Sequence, residues 1–434
     1  MEHPALRCRI EGSPREKRIM KSLLNKTAAR SRIKHAWDSI RHRPESKGMD
    51  EQTIQNFERG LKANLDTIRR DLLAGKYQFS KLRGLPLKQG AKIRPLRIPA
   101  VRDRVVQKAI ELTIVPHIKG KYRIENPTSF AYIKGRSVKE AAERIRDLYR
   151  DGNEWVYEAD IKKFFDSVDR GKLLGDFIFP ALPDDTINGI ISAALDAELG
   201  NAEELERAGM LKEFPGGSEG IPQGGILSPL FANVYLVPLD EAMIKGGKRM
   251  VRYADDFVVM CKTEKEAADA DRLARAVVEG ELDLEIYPLN PGPGDKKRSR
   301  ICRFQDVEFL GLLFQGDKIS PGPKALKKMV ATIKDIPREY RASDLASALH
   351  SIRSRILTWG ANYYYTDVSE QVSASIDQHL VSALRSMIND FGLKPVSKKF
   401  GAGNLMRLGV PSFSKSLERA RERHKPIDFD KNAR

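Results

Sequence analysis

Cysteine is scarce in this 434-residue sequence, which contains only Cys8, Cys261 and Cys302. The three lie far apart and have no histidine at ligand spacing, so the sequence predicts neither a zinc module nor a disulfide framework. Long apolar runs are also missing: no segment approaches the ~20 apolar residues that span a bilayer. Nothing in residues 1–50 resembles a signal peptide. We therefore expect a soluble, cytoplasmic protein without a membrane partner.

Positive charge is what the sequence has in excess. Lys and Arg number 76 against 59 Asp and Glu, which gives a net charge of +17. The basic residues cluster in 1–50, 76–104 and 396–434. Such clusters are the usual electrostatic footprint of a polyanionic partner, and a solvated basic surface is the plain alternative. An anionic membrane fits less well, because no segment pairs a basic face with a strong apolar one.

Periodicity predicts a mixed α+β body followed by a helical C-terminal region. Apolar residues recur every three or four positions over 51–73, which indicates a helix, and two alternating runs over 81–99 indicate a β-hairpin. The other elements that the argument uses are predicted strands at 155–160, 250–253 and 257–260, a glycine-rich loop at 215–225 and an apolar helix at 226–239. Beyond Pro323 the composition is helical, so we expect a domain boundary at residues 320–323.

Three carboxylates stand at the ends of predicted buried strands. Asp255 and Asp256 lie in a tight turn between two apolar strands, and Asp160 ends a third. Adjacent carboxylates repel each other unless a cation shares their charge, and Mg²⁺ prefers one or two carboxylates plus substrate phosphates. Three carboxylates on neighbouring strands can hold two metal ions roughly 4 Å apart, an arrangement that supports phosphoryl transfer. Local chemistry alone also allows an exposed turn for the pair and a helix N-cap for Asp160.

A glycine-rich segment, GIPQGG at 220–225, lies between these acids and can bring backbone close to a ligand. With it, the order of motifs resembles the reverse transcriptases of the bacterial group II intron lineage. The matching segments are IRPLRIPAVRDRVVQKAI (93–110), GRS (135–137), EADIKKFFDSVDR (158–170), GIPQGGILSPLFANVYL (220–236), RYADDFV (252–258) and EFLGLLF (308–314). The helical WGANYYY segment (359–365) is similar to that lineage's thumb, so the similarity covers about residues 25–390.

This resemblance implies an α+β right-hand polymerase, with fingers and a palm built on antiparallel sheet and an α-helical thumb. The expected divisions are a basic helical N-terminal extension at 1–75, fingers and palm at 76–320, the thumb at 321–390 and a basic C-terminal tail at 391–434. The implied activity is that of an RNA-directed DNA polymerase. It would use two Mg²⁺ ions, for which Mn²⁺ can substitute, together with dNTPs, a DNA primer or product and an RNA template.

The resemblance also implies roles for individual residues. The implied metal ligands are Asp160, Asp255, Asp256 and the carbonyl of Ile161. Phe165 would lie beneath the sugar, where an aromatic ring clashes with a 2′-hydroxyl and favours dNTPs. The other implied nucleotide contacts are Lys88 and Arg94, as a triphosphate clamp, with Gln223 and Gly224; the template or primer contacts are Arg136, Tyr253, Leu310 and Gly311. As isolated residues, Phe165 and Tyr253 are equally compatible with core positions, and Arg136 with a surface ion pair. Lys296 or Lys297 would supply a proton to pyrophosphate, and the sequence does not choose between them.

Two departures from the family pattern bear on the biological role. The second block reads FAYIKGRS where intron-encoded enzymes usually have an FRPGRS-like string, and no Cys/His endonuclease module follows. We therefore expect a stand-alone enzyme that copies an associated, structured non-coding RNA in antiphage defence. The alternatives are a group II intron-encoded maturase and reverse transcriptase, a polymerase of the same fold acting on DNA or without a template, and an RNA-binding splicing cofactor with incidental polymerase activity.

Overall fold

Two compact units make up the protein. A computed structural model describes residues 22–42, 46–89, 92–217, 219–289, 299–339, 345–390, 405 and 408–424. The first unit takes its described residues from 1–136, 157–259 and 265–301, and the second from 137–156, 260–264 and 302–434. Helices alternate with antiparallel strands along the chain, which confirms the expected α+β class.

The α-helices follow the apolar periodicity, with two breaks that it did not predict. In chain order they are α1 (Leu23–Thr27), α2 (Arg30–Ile40), α3 (Ile54–Arg59), α4 (Leu61–Leu73), α5 (Val101–Lys121), α6 (Val138–Arg150), α7 (Phe164–Ser167), α8 (Arg170–Lys172), α9 (Asn188–Leu195), α10 (Ala202–Arg207), α11 (Ser228–Tyr235), α12 (Val237–Lys245), α13 (Glu264–Val278), α14 (Pro323–Glu339), α15 (Leu345–Tyr363), α16 (Glu370–Asp390) and α17 (Phe413–Arg423). None of the helices in the described ranges is both long and apolar enough to cross a membrane.

Both breaks have local causes. The helix expected over 51–73 divides at Gly60, whose backbone (φ −108°, ψ 26°) leaves the helical region. The apolar helix expected over 226–239 divides at Leu236, just before Pro238. Proline has no N–H to donate to the preceding turn, so α11 ends and α12 begins there.

The strands form three separate sheets. They are β1 (Arg83–Gln89), β2 (Lys92–Ile98), β3 (Trp155–Asp160), β4 (Arg249–Tyr253), β5 (Asp256–Cys261), β6 (Arg300–Arg303), β7 (Gln305–Phe309), β8 (Leu312–Gln315) and β9 (Lys318–Pro321). β1 and β2 pair antiparallel, which confirms the predicted hairpin. A four-stranded sheet has the order β4-β5-β3-β6, and a three-stranded sheet the order β7-β8-β9. The strands predicted from 155, 250 and 257 are therefore present.

The N-terminal helices belong to the core of the first unit. Trp37 on α2 is fully buried and stacks on Phe57 of α3, with ring centroids 5.1 Å apart. The Arg32 guanidinium donates to the carbonyl of Leu112 on α5 at 3.0 Å. The described part of the expected N-terminal extension is thus packed into the unit that carries β1, β2 and β4.

Helices α14, α15, α16 and α17 share one apolar core in the second unit. Phe413 and Leu417 of α17 are buried in it, although residues 391–434 were expected to form a basic tail. The Asp377 carboxylate accepts from the backbone N–H of Phe413 at 2.7 Å, and the Ser416 hydroxyl donates to the carbonyl of Ile356 at 2.9 Å. These polar contacts attach α17 to α15 and α16.

Candidate active site

The three predicted carboxylates lie on adjacent strands of the first unit. Asp160 is the last residue of β3, and Asp255 and Asp256 belong to the turn between β4 and β5, here called the acidic turn (residues 254–256). β5 is the hydrogen-bonded neighbour of both β4 and β3. Asp256 is exposed, whereas Asp160 and Asp255 are half-buried. The acids therefore stand on a rigid, buried sheet and are still accessible to a ligand.

Carboxylate oxygens at accessible strand ends are the donors that Mg²⁺ prefers, so the residues present suit a hard divalent cation. Over the part of the chain that the structure describes, no three His, Cys, Asp or Glu side chains are drawn together as a closed metal-binding group. The acidic turn and the end of β3 therefore carry possible ligands, whose carboxylates would have to move closer together when a metal ion binds. Substrate phosphates and water would complete its coordination.

Ile161 directly follows the acid of β3 and is buried. It forms an antiparallel bridge with Ile286, and the N–H of Tyr287 donates to the carbonyl of Asp160 at 3.2 Å. Next to this bridge, the N–H of Lys162 donates to the carbonyl of Glu285 at 2.7 Å. The backbone around Asp160 is thus held by hydrogen bonds to residues 285–287.

The glycine-rich loop (residues 215–225) packs closely on two other predicted site segments. The N–H of Ile221 donates to the carbonyl of Phe165 at 2.7 Å, and a Cβ on Gly220 would lie only 2.9 Å from that oxygen. At its other end, the N–H of Arg97 on β2 donates to the carbonyl of Gln223 at 2.7 Å, and a Cβ on Gly224 would lie 2.9 Å from the Arg97 carbonyl. The loop therefore brings Phe165, Gln223 and Gly224 together with β2.

Two arginines support this loop through hydrogen bonds to its backbone. Arg170 donates to the carbonyl of Gly220 at 2.5 Å and to that of Glu219 at 2.8 Å. The Arg97 guanidinium lies 4.0 Å from Asp166. Burial raises the pKa of Asp166, while the nearby charge of Arg97 lowers it, and burial lowers the pKa of Arg97. Arg97 also donates to the carbonyl of Pro215 at 2.5 Å, so both arginines bind backbone carbonyls of the loop.

Phe165 differs from its neighbour in exposure. Phe164 is buried in the core at 1% exposure, whereas Phe165 is half-buried and meets Phe164 edge-to-face, with ring centroids 5.5 Å apart. Lys163, which has a positive φ of 45°, is the N-cap of the short helix α7 and lies between β3 and the two phenylalanines in the sequence. Of the two phenylalanines, only Phe165 presents part of its ring to a ligand.

The register of the β1–β2 hairpin separates the two cations of the expected triphosphate clamp. Lys88 lies opposite Ile93, and Arg94 lies opposite Leu87. Because directly paired residues share a face and faces alternate along a strand, Lys88 and Arg94 project from opposite faces of the hairpin. A joint clamp stays a prediction.

Tyr132 is a residue that the sequence reasoning did not single out. It is 53% exposed and has a left-handed backbone, with φ of 61°. Partial burial of its hydroxyl raises its pKa, the negative charge of Asp255 raises it further, and Arg94 lowers it. Tyr132 therefore lies within electrostatic reach of both the acidic turn and the hairpin. The signal available in the sequence was the departure of the FAYIKGRS block from the family pattern.

Arg136, expected to contact template or nucleotide, is engaged inside the first unit. Its guanidinium donates to the carbonyls of Asn126 and Ser129 and, at 3.0 Å, to that of Glu125. It also stacks over the Phe130 ring at 5.6 Å. The side chain closes the 125–130 segment and forms none of the ion pairs seen among the described residues, so a direct template contact stays a prediction.

The remaining predicted contacts are distributed over both units. Tyr253 ends β4 and is half-buried, and burial raises the pKa of its hydroxyl. In the second unit, Leu310 (φ 53°) and Gly311 (φ 75°) form the two-residue turn between β7 and β8. Positive φ at both central residues is the geometry of a type I′ hairpin. Lys296 and Lys297 lie outside the described residues. The primer contacts of Tyr253, Leu310 and Gly311 stay predictions.

Comparison with known proteins gives a family match over the segment that carries these residues. Residues 86–282 match the family model described as "Reverse transcriptase (RNA-dependent DNA polymerase)". Protein YkfC of Escherichia coli is 27% identical over 350 residues, which cover 72% of this chain and 84% of that protein. The group II intron-encoded protein LtrA of Lactococcus lactis is 29% identical over 202 residues, which cover 46% of this chain and only 31% of LtrA.

Solved structures give a weaker likeness. A chain of the partial Cas6-RT-Cas1–Cas2 complex is 24% identical, with a TM-score of 0.35, over 60% of this chain and 44% of that one. Telomerase from Candida albicans is 10% identical, with a TM-score of 0.40, over 80% of this chain and 67% of that one. The family match covers β2, the acidic residues and the glycine-rich loop. Residues 86–282 therefore form a reverse transcriptase (RNA-dependent DNA polymerase) domain, and the chain is similar to a group II intron-encoded protein.

Proposed function

We propose that this protein makes cDNA from an RNA template at the site formed by Asp160, Asp255 and Asp256. The proposal is supported by the positions of the three acids, at the end of β3 and in the turn that leads into β5, because β3 and β5 are adjacent strands. When bound there, two Mg²⁺ ions would activate the primer 3′-hydroxyl and stabilise the leaving pyrophosphate.

The other residues of the site would orient the nucleotide. Backbone groups of Gln223 and Gly224 approach it closely because glycine leaves room at this bend. Phe165 lies beneath the sugar and excludes a 2′-hydroxyl. Arg94 offsets the negative charge that develops on the triphosphate during transfer. The resulting reaction adds a dNTP to a DNA primer.

A primer-extension assay tests this activity directly. Wild-type protein should extend a DNA primer on a homopolymer RNA in the presence of Mg²⁺ and the complementary dNTP. Asp255→Asn combined with Asp256→Asn should reduce the rate by roughly 10²–10³-fold or more, since charge stabilisation in the transition state is lost. Asp269→Asn is the matched control, because Asp269 is an aspartate of α13 that pairs with Arg272 outside the site. Incorporation that persists without RNA, or in the double variant, would contradict the proposal.

For the biological role, we propose that the enzyme copies an associated, structured non-coding RNA in antiphage defence. The proposal rests on the divergent second block, FAYIKGRS at residues 130–137. Sequencing the RNA that co-purifies with the protein tests it. One abundant, compact RNA encoded beside the gene is the expected result.

Intron splicing and mobility form the second candidate. The observation that favours it is the similarity to LtrA, whose name describes a group II intron-encoded protein. Co-purified RNA would then contain ribozyme domains that flank the gene. The effect on splicing would also be separable from polymerisation. A variant without Asp255 and Asp256 would still promote splicing if the protein acts there as an RNA-binding cofactor.

A further inference from the structure

A fully buried arginine, Arg252, is hydrogen-bonded to the backbone of the acidic turn. Its Nε and Nη2 donate to the two carboxylate oxygens of Asp240 at 2.7 and 2.5 Å, and Asp240 is also fully buried. Nη1 donates to the carbonyl of Ala254 at 3.0 Å and to Asn233 at 3.2 Å, and Nη2 donates to Ser129 at 2.9 Å. A guanidinium has five N–H groups, and all five are used here.

Stability alone does not explain this arrangement. Taking an ion pair out of water carries a large desolvation penalty, and well-packed apolar side chains often serve the fold equally well or better. What apolar side chains cannot do is hold the carbonyl of Ala254. Ala254 has φ of 59°, a left-handed conformation that is unfavourable for alanine and persists only where the surroundings enforce it. The bond from Arg252 is one such constraint, placed one residue before Asp255.

The same network also holds the segment that leads to Tyr132. Asp240 accepts from the side-chain amide N–H of Asn126 at 2.8 Å, and the side-chain Oδ1 of Asn126 accepts from the backbone N–H of Thr128 at 2.9 Å. The backbone of Arg252 continues the connection, because its N–H donates to the carbonyl of Thr128 at 2.7 Å. The acidic turn and the 126–130 segment therefore share one buried set of hydrogen bonds.

We propose that Arg252 and Asp240 are positioning residues, which fix the acidic turn so that Asp255 and Asp256 are ready to receive metal ions. They touch no substrate and act through the Ala254 carbonyl. This inference rests on the metal-binding role proposed for Asp255 and Asp256. A rigid turn reduces the rearrangement that two mutually repelling carboxylates need when a cation arrives.

Two variants remove the support in different ways. Arg252→Lys keeps the charge but cannot reproduce the planar, five-donor geometry. Arg252→Met combined with Asp240→Asn removes both charges, so that neither partner is left as an unpaired buried ion. The matched control is Tyr235→Phe, which deletes a buried hydrogen bond to the carbonyl of Leu282 (2.8 Å) in the same unit without touching the turn.

Hydrogen exchange and Mn²⁺ binding give readouts that do not depend on polymerase activity. In both test variants, amides of the peptide covering 253–257 should exchange at least about tenfold faster than in wild type, because local opening of the turn becomes easier. The Kd for Mn²⁺, measured by electron paramagnetic resonance on the full chain, should rise several-fold. Tyr235→Phe should change neither quantity, even where it lowers the melting temperature as much as a test variant does.

Steady-state kinetics separate positioning from binding. The test variants should lower kcat by about 10–100-fold and raise the Mg²⁺ concentration for half-maximal rate, because misplaced metal ligands affect the transition state most. The KM for dNTP and the Kd for primer–template should stay near wild type. Unchanged exchange of 253–257 with an unchanged Mg²⁺ requirement in both variants would overturn the inference, as would equal effects in Tyr235→Phe. An inactive wild-type protein would instead refute the proposed function, and the exchange data would still decide on the network.

Discussion

Gly220 is the position where the structure makes the sharpest energetic prediction. Its φ is +79°, and a Cβ there would lie 2.9 Å from the carbonyl oxygen of Phe165 and 3.0 Å from the Cα of Asp166. An alanine would therefore meet two separate penalties. Left-handed backbone costs a non-glycine residue roughly 1–2 kcal/mol. Overpacking against backbone, which cannot rotate away, costs about 1–3 kcal/mol more.

Gly247 provides a matched comparison in the same unit. Its φ is +64°, but nothing lies within 4 Å of a Cβ built there. Gly247→Ala should therefore lower the free energy of unfolding by only the backbone term of roughly 1–2 kcal/mol, whereas Gly220→Ala should lower it by roughly 2–5 kcal/mol. The difference measures the close approach of the glycine-rich loop to Phe165.

Urea denaturation followed by circular dichroism measures both values, with a common slope checked across the variants. Since the displaced loop would shift Phe165, Gly220→Ala should also reduce discrimination between dNTPs and rNTPs, and Gly247→Ala should leave it unchanged. Equal destabilisation of the two variants would refute the reasoning, because it would mean that the loop does not pack against Phe165 as described.

Three further predictions follow from single side chains. Phe165→Val should increase rNTP incorporation by about tenfold or more, because relief of the clash with the 2′-hydroxyl should lower the activation free energy by at least about 1.4 kcal/mol, which corresponds to a factor of ten in rate. An unchanged dNTP-to-rNTP ratio would reject this role of Phe165. Arg136→Ala should lower the free energy of unfolding by roughly 2 kcal/mol and leave RNA affinity constant, because the hydrogen bonds of the Arg136 guanidinium go to carbonyls of residues 125–129. A loss of RNA affinity without destabilisation would favour a template contact. Burial raises the pKa of Asp377 above its ordinary 3.8, so the folded state holds the carboxyl proton more tightly than the unfolded state does. The free energy of unfolding should therefore fall as pH rises through the raised pKa. Asp377→Asn should flatten that fall in a pH series of melting curves.

Local patterns were sufficient for the elements that carry the acids. Alternating and continuous apolar runs predicted β3, β4 and β5, and the three residues left between the last two runs predicted the turn at Asp255. The hairpin of β1 and β2 was equally readable. These features depend on neighbours in sequence, so the physical signal lies within each segment.

Features that depend on distant parts of the chain were not readable in the same way. Arg252 gains its partners from residues as far away in sequence as Ser129, so no single segment shows the network. The opposite orientation of Lys88 and Arg94 follows from strand register, which the sequence alone did not define. The helix at Phe413–Arg423 looked like a basic tail because its charges are obvious and its buried face is narrow.

The central claim is that Asp160, Asp255 and Asp256 bind the catalytic metal ions of an RNA-directed DNA polymerase. Anomalous diffraction from crystals of the protein with an RNA template, a terminated DNA primer, a dNTP and Mn²⁺ tests it most directly. The account predicts two Mn²⁺ peaks roughly 4 Å apart, both bound by these carboxylates and by the triphosphate. Mn²⁺ bound elsewhere while the nucleotide is in place, with the three carboxylates unligated, would contradict it.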